Sequence, residues 1–278
     1  MEQTMLKLTN ENYYSPESNM AYMSASQFKS FESCPSRTMA MLRGEHHRPS
    51  STALLVGGYI DAAIEGTLDQ YKEAHPEMFK KDGALKVDYI KAEQALERIN
   101  RDELFKMILD GEKQKIVVGN IGGVAYKGKI DVLLSKEQCQ AIARKFPKTA
   151  EVFDSFCDGC IVDFKYMRDF VRTWSDDEQA KVSFIDAWGY HTQLAIYQRL
   201  EGHMLPCVIA AITKEDEPDL DLFYIPQEVL DERIRIVEDH SATYDKMKRG
   251  EIEADSCGKC DWCRSQKRLD EIHDYRFY

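Results

Sequence analysis

Ile161-Val162-Asp163-Phe164-Lys165 is the stretch on which the reading of this chain turns. Its β-branched and aromatic residues, continued by Cys160 and Tyr166, make a short strand. Residues two apart on a strand point the same way, roughly 6–7 Å apart along the backbone. Asp163 and Lys165 therefore present a carboxylate and an ammonium on one face. A carboxylate there can hold a hard divalent cation, and the ammonium can stand beside a water and a scissile phosphate. An Asp-x-Lys pair is also a common exposed ion pair, so its weight comes from what surrounds it.

Upstream, the pattern predicts a hairpin: Gln114–Gly119, a turn at Asn120–Gly123, and Val124–Ser135. On its second arm the period of two puts Lys127, Lys129 and Asp131 on one face, with Asp131 near the strand end. Before it, residues 86–110 read as one amphipathic helix, and Ala53–Gly66 as another with Val56, Ile60 and Ile64 as its buried stripe. Gly57, Asp61 and Glu65 run alongside that stripe, so two carboxylates share a helical face. The first helix is expected at Ser24, where Ser24 and Gln27 have the spacing of a capping box, and it continues through Met39–Leu42 after residues 1–22 that look irregular. Gly44–Thr52 is a polar break.

Downstream, residues 136–159 are poorly patterned. A helix from about Phe184 to Leu200 carries Gln193 and Tyr197 one turn apart, strands follow at 206–213 and 220–225, and Pro226 opens a last helix to about Arg249. The order implies a mixed α/β core with helical attachments at both ends rather than a βαβ repeat.

The chain has 278 residues, 43% of them apolar and 31% charged, with 15 Gly and 8 Pro. That composition excludes collagen, low-complexity disorder and a disulfide-dense miniprotein. No apolar run approaches the roughly 20 residues of a membrane span, and the opening MEQTMLKLTNENYY lacks a signal-peptide pattern. A cytoplasmic protein with no membrane partner is expected. The net charge of −11 argues against wrapping nucleic acid over the whole surface, yet it allows a local basic groove.

Taken together, these pieces resemble the PD-(D/E)xK nuclease superfamily, in particular its RecB-like and RecE-like phage exonuclease branch. The matching residues are Gly57-Gly58-Tyr59-Ile60-Asp61, where many relatives have His last; Gly128-Lys129-Ile130-Asp131; Ile161 to Lys165; and Gln193-x-x-x-Tyr197. The resemblance implies an α/β (α+β) restriction-endonuclease-like core, a central mixed sheet flanked by helices. It implies one nuclease domain over residues 1–278, with the core at about 53–225, a helical segment at 1–50, and a helix and Cys-rich tail at 226–278. It implies catalytic roles for Asp131, Asp163 and Lys165, and one or two Mg²⁺ or Mn²⁺ ions on Asp61, Asp131, Asp163 and the Phe164 carbonyl. Glu65 is an alternative to Asp61. Gln193, Tyr197 and Lys129 would face the nucleic acid. Lys127 and Arg168 are further candidates for phosphate contacts, and Trp174 and Trp188 for base stacking. The His46-His47 pair is assigned nothing.

Eight Cys in a chain expected in a reducing compartment read first as metal ligands or buried thiols. Cys257, Cys260 and Cys263 have C-x-x-C-x-x-C spacing, which lets their sulfurs converge on one inorganic centre. Cys34 is the candidate fourth ligand. Some RecB-like nucleases look similar and hold a [4Fe–4S] cluster with one Cys ahead of the core and three after it, although their last interval is usually longer. A [4Fe–4S] cluster on these four is therefore the expectation, with structural Zn²⁺, which can recruit Cys157-x-x-Cys160, or unmetallated thiols as alternatives. Cys139 and Cys207 read as buried small hydrophobes.

The function implied is a metal-dependent DNA exonuclease degrading linear duplex ends, 5′-to-3′, in phage-type recombination. A single-strand annealing protein would be its partner, and it would form a homo-oligomer in the cytosol of a bacterial host. The alternatives are a CRISPR-adaptation-like iron–sulfur nuclease trimming single-stranded overhangs, or a non-catalytic DNA-end binding module.

Overall fold

The computed structural model describes residues 6–47, 51–153, 157–175, 178–269, 271, 272 and 274–277. The polar break at 44–52 and the stretch 136–159 therefore lie partly outside the described residues. Ser15 caps a short helix, α1 (Pro16–Ala21), in the segment expected to be irregular. Ser24 caps α2 (Ala25–Ser33) by accepting from Gln27 N at 3.3 Å. Only that half of the expected capping box forms, because the Gln27 amide instead donates to Asn19 O at 2.9 Å. The chain turns at Cys34, whose extended backbone ends α2 and whose thiol caps α3 (Pro35–Leu42). One expected helix is thus two, and Pro35 at the first position of the second is the local reason.

α4 (Thr52–Glu65) and α5 (Leu68–Ala74) follow, then α6 (Val87–Arg101) and α7 (Glu103–Ile108). The last two were expected as one helix; Asp102 divides them, because its carboxylate accepts from Phe105 N at 2.9 Å and starts α7 afresh. β1 (Glu112–Ile121) and β2 (Val124–Ser135) form the expected hairpin. The poorly patterned stretch opens with a helix, α8 (Lys136–Lys145), started by a full capping box between Ser135 and Gln138. β3 (Gly159–Met167) carries Asp163 and Lys165, and a small ribbon of β4 (Thr173–Ser175) and β5 (Ala180–Val182) follows. Gly189, at φ 60°, separates α9 (Phe184–Trp188) from α10 (Tyr190–Glu201), again dividing one expected helix. β6 (Cys207–Thr213), β7 (Leu220–Ile225), α11 (Gln227–Lys248) and α12 (Asp261–Gln266) complete the order.

The main sheet runs β1-β2-β3-β6-β7. Its pairs are antiparallel except β3 with β6, which is parallel, as the crossover through α9 and α10 allows. A mixed sheet between helices is what the resemblance implied. Alternate residues feed two cores. Ile161, Cys207, Ile209 and Ala211 pack with α2, α10 and α11 on one face, and Val162, Phe164, Val208 and Ala210 pack with α4, α6 and α8 on the other. Each buried Phe or Ile there contributes about 1.5–3 kcal/mol. Asp163 and Lys165 share the parity of Ile161, so they emerge on the α10 face. Among the described residues no helix is long and apolar enough to cross a membrane.

Candidate active site

The site begins where two strands part. β2 pairs with β3 from Ser135↔Gly159 to Val132↔Val162 and no further. The next two residues in that register are Asp131 and Asp163. The Phe164 N–H, which loses a partner strand here, is taken up by Asp131 Oδ2 at 2.9 Å. One carboxylate thus ends the ladder and satisfies an exposed donor. On β3, Lys165 Nζ stands 2.7 Å from Asp163 Oδ2, as the period of two predicted.

Asp163 is fully buried. Its Oδ1 accepts from Gln193 Nε2 at 2.8 Å, and the same amide reaches Tyr197 Oη at 3.1 Å, so α10 supplies both partners from one face. Gly128 lets this happen: a Cβ there would stand 2.9 Å from the Tyr197 ring. Asp163 Oδ2 has no hydrogen-bond donor in proper geometry despite the nearby ammonium. Burial, the charge of Asp163 and that of Asp61 raise Asp131 well above the usual carboxylate range, against the pull of Lys165. Asp61, on α4 and still reached by solvent, is pushed up to about 6, first by desolvation, while Lys165 draws it down and Glu65 and Asp163 add to the rise. Burial works against the Lys165 ammonium too, but Asp163 and Asp131 outweigh it and hold it above the usual lysine value.

Three carboxylates crowd one lysine, and one buried oxygen among them lacks a donor. This all-oxygen set suits a hard divalent cation, which relieves both the repulsion and the unmet acceptor. The acids are nevertheless not drawn together as tightly as the four thiols described below. Asp61, Asp131 and Asp163 do not all close to within 4.8 Å of one another. Glu65 lies one turn from Asp61 and is raised mainly by burial, with Lys129 and Lys113 opposing.

A hollow of about 220 Å³ leads to Asp131 and is lined by Tyr13, Tyr14, Ser26, Lys129, Gln193 and Tyr197. Lys129 Nζ lies over the Tyr13 and Tyr14 rings at 5.8 and 5.5 Å. Lys127 shares that face but not the role expected of it. Its ammonium is buried and donates to Tyr13 O, Ser18 Oγ and Asn19 Oδ1, anchoring α1 instead of facing solvent. Arg168 is paired with Asp169 at 2.6 Å. Trp174 and Trp188 are both exposed, at 55% and 62%. Tyr13, Tyr14 and Tyr190, whose ring lies 4.9 Å from Lys165 Nζ, carry no local signal beyond a Tyr-Tyr doublet ahead of Pro16.

The four expected thiols meet. Cys34, Cys257, Cys260 and Cys263 place their sulfurs within 4.8 Å of one another, with separations of 3.6 Å for Cys34–Cys263, 3.8 Å for Cys260–Cys34 and 3.9 Å for Cys257–Cys263. Four sulfurs about 2.3 Å from a single tetrahedral ion stand about 3.8 Å apart. The N–H groups of Arg37, Cys260 and Cys263 point at Cys34, Cys257 and Cys260 Sγ. Backbone donors at Cys260 and Lys259 lower the Cys257 thiol to about 6, toward the thiolate that a metal requires. The tail is pinned beside α3 by Ser36 N to Asp255 O at 2.9 Å and Trp262 Nε1 to Ser36 Oγ at 3.1 Å. His46, assigned nothing, pairs with Asp261 at 3.4 Å. Cys157 and Cys160 take no part. They pack with Cys139 in the core on the α4 side of the sheet, which removes them as recruits to this centre. Cys139 and Cys207 are buried, as expected.

Residues 24–141 and 151–266 match the family described as a PDDEXK-like domain of unknown function (DUF3799). The chain belongs to that family. This PDDEXK-like chain is also similar to a crystal structure described as a "putative exonuclease" from Eubacterium rectale, with 35% identity, 97% of each chain covered and a TM-score of 0.82. A comparison with curated proteins finds no match. Both positive findings support a nuclease of the PD-(D/E)xK superfamily.

Proposed function

We propose that this PDDEXK-like chain is a metal-dependent deoxyribonuclease that removes nucleotides from linear duplex ends. The observation that carries it is the meeting of Asp131, Asp163 and Lys165 where β2 and β3 separate. Asp131, Asp163, the Phe164 carbonyl and Asp61 would hold one or two Mg²⁺ or Mn²⁺ ions. Such an ion, when bound, lowers the pKa of a water and offsets charge at phosphorus. Lys165 keeps its proton beside Asp163 and neutralises charge that builds on the phosphate. Gln193 fixes the Asp163 carboxylate through Oδ1 and leaves Oδ2 open. Lys129, Gln193 and Tyr197 line the approach and take the strand.

End dependence draws support from the E. rectale neighbour's description. The 5′-to-3′ direction, the annealing partner, the homo-oligomer and the phage setting rest on the resemblance in the sequence. Linear and closed circular duplexes, incubated with Mg²⁺, test the reading: linear DNA is degraded and circles survive. Equal nicking of circles overturns end dependence, and preference for single-stranded overhangs favours the adaptation-like alternative. Asp163→Ala and Lys165→Ala each abolish degradation and spare binding; full activity in both overturns the site. Duplexes labelled at the 5′ or the 3′ end settle direction.

For the Cys centre we infer a single structural Zn²⁺. The 3.6–3.9 Å separations support it, because the thiolates of a four-iron cube sit on separate irons and stand further apart. Purified protein is then colourless with one zinc per chain. Four irons with acid-labile sulfide, and a broad band near ~400 nm from thiolate-bound iron, return the site to [4Fe–4S].

A further inference from the structure

We propose that a second groove, separate from the hollow at Asp131, binds a backbone phosphate of the nucleic-acid strand through Arg233, His191 and Lys29; this rests on the nuclease reading above. The groove, about 660 Å³, lies between α2, α10, α11 and the loop that carries Cys257 and Cys260. It shares no lining residue with the Asp131 hollow.

Two buried nitrogens here lack partners. His191 is 4% exposed, and its Nδ1 accepts from Thr192 N at 2.7 Å. A ring that accepts at Nδ1 carries its proton on Nε2. That Nε2 is buried with no hydrogen-bond partner. Asp186 Oδ1 stands 3.5 Å from it, outside hydrogen-bond geometry. Desolvation, helped by Arg233, lowers His191 to about 4, so near neutral pH it offers a single N–H. Arg233 Nε is likewise buried and unpartnered, and its guanidinium forms no ion pair among the described residues. A buried donor left unmet is destabilising, and an anion meets both.

The groove is electrostatically continuous with the catalytic centre. Lys29 Nζ lies 5.5 Å from the Tyr190 ring, and Lys165 Nζ lies 4.9 Å from the same ring. Lys29 donates to Trp188 O at 3.1 Å and feels the charges of Asp163 and Lys165. The exposed Trp188 ring on the same wall offers a stacking surface for a base, which favours a strand over an isolated phosphate. Glu32, Glu178 and Asp186 also line the groove. Their charges moderate the attraction.

Fluorescence anisotropy of a labelled single-stranded oligonucleotide, in buffer without added divalent cation, tests the assignment on the full chain. Arg233→Gln weakens binding about tenfold, equally for mixed and oligo-dT sequences, and lowers the salt slope by about one. Arg233→Lys restores most of the affinity, and neither variant lowers the thermal midpoint, because the Arg233 Nε that each removes has no partner in the free protein. If wild-type protein cleaves linear DNA while Arg233→Gln binds with unchanged affinity and slope, the groove assignment alone falls. If wild-type protein neither binds nor cleaves DNA, the nuclease reading falls with it. Displacement of the oligonucleotide by an equimolar 5′-mononucleotide, lost in Arg233→Gln, makes the groove a mononucleotide site and overturns the strand assignment.

Discussion

At the residue scale, Asp131 does two things with one carboxylate. Oδ2 satisfies the Phe164 N–H, and the group faces Asp163 across the parting strands. Its raised pKa, with that of Asp61, makes protons compete with the cation. A raised carboxyl keeps its proton to higher pH, so Mn²⁺ affinity measured by calorimetry should fall as the pH drops from about 8 to about 6; a flat profile removes both groups from the metal shell. The sign for stability follows. Folding disfavours the ionised forms, so the metal-free fold loses stability as pH rises from the usual carboxylate value through the raised one. Asp61→Asn should therefore unfold at a higher temperature than wild type above about pH 6, and at the same temperature near pH 4. Gln193→Ala should lower kcat about 10- to 100-fold, because Asp163 loses the donor that orients it; unchanged kcat removes that role. Asp163 and Lys165 were legible from a period of two, and Asp131 from its place near a strand end. Tyr13 and Tyr190 were not, since they reach the site through contacts with no local period. Lys127 departs from the expectation because alternation gives a side chain's face and says nothing of a helix lying over it.

At the element scale, the points where expected helices divide are all capped. Cys34, Asp102 and Gly189 each end one helix and begin another. Pro35 and Gly189 were visible signals of this, outweighed by the apolar pattern that ran through them. α8 was obscured differently: only Cys139 and Ile142 are buried on it, too short a stripe to stand out beside its sound capping box. The segment α1–α2 is held by two buried lysines from distant elements. Lys127 grips Tyr13, Ser18 and Asn19, and Lys248 donates to Asn19 O at 2.8 Å, Tyr22 O at 2.9 Å and Gln27 Oε1 at 3.0 Å. Lys248→Ala leaves Tyr22 O and Gln27 Oε1 without a donor and Asn19 O with the Gln27 amide alone. It should cost about 1–3 kcal/mol in urea unfolding and open the segment before Ser24 to protease; wild-type values in both assays deny it the anchoring role.

At the scale of the whole molecule, the sheet carries the acids and lysine while the Cys centre ties α3 to the tail. If the four thiols hold the proposed Zn²⁺, a chelator lowers the thermal midpoint and exposes the tail around Trp262 to protease, and re-adding Zn²⁺ restores both. A midpoint indifferent to chelation makes the four thiols a metal-free cluster.

Cys34 and Cys263 lie 229 positions apart, as do Asn19 and Lys248. A ribosome reading this message exposes Asp163 and Lys165 long before it supplies what clamps the opening stretch down. Until those late residues emerge, Asn19, Tyr22 and Gln27 lack the Lys248 donor, so a half-made chain carries Asp163 and Lys165 with the stretch beside them only partly anchored. Stop codons ahead of Lys248 should therefore be as damaging as lesions at Asp163 or Lys165.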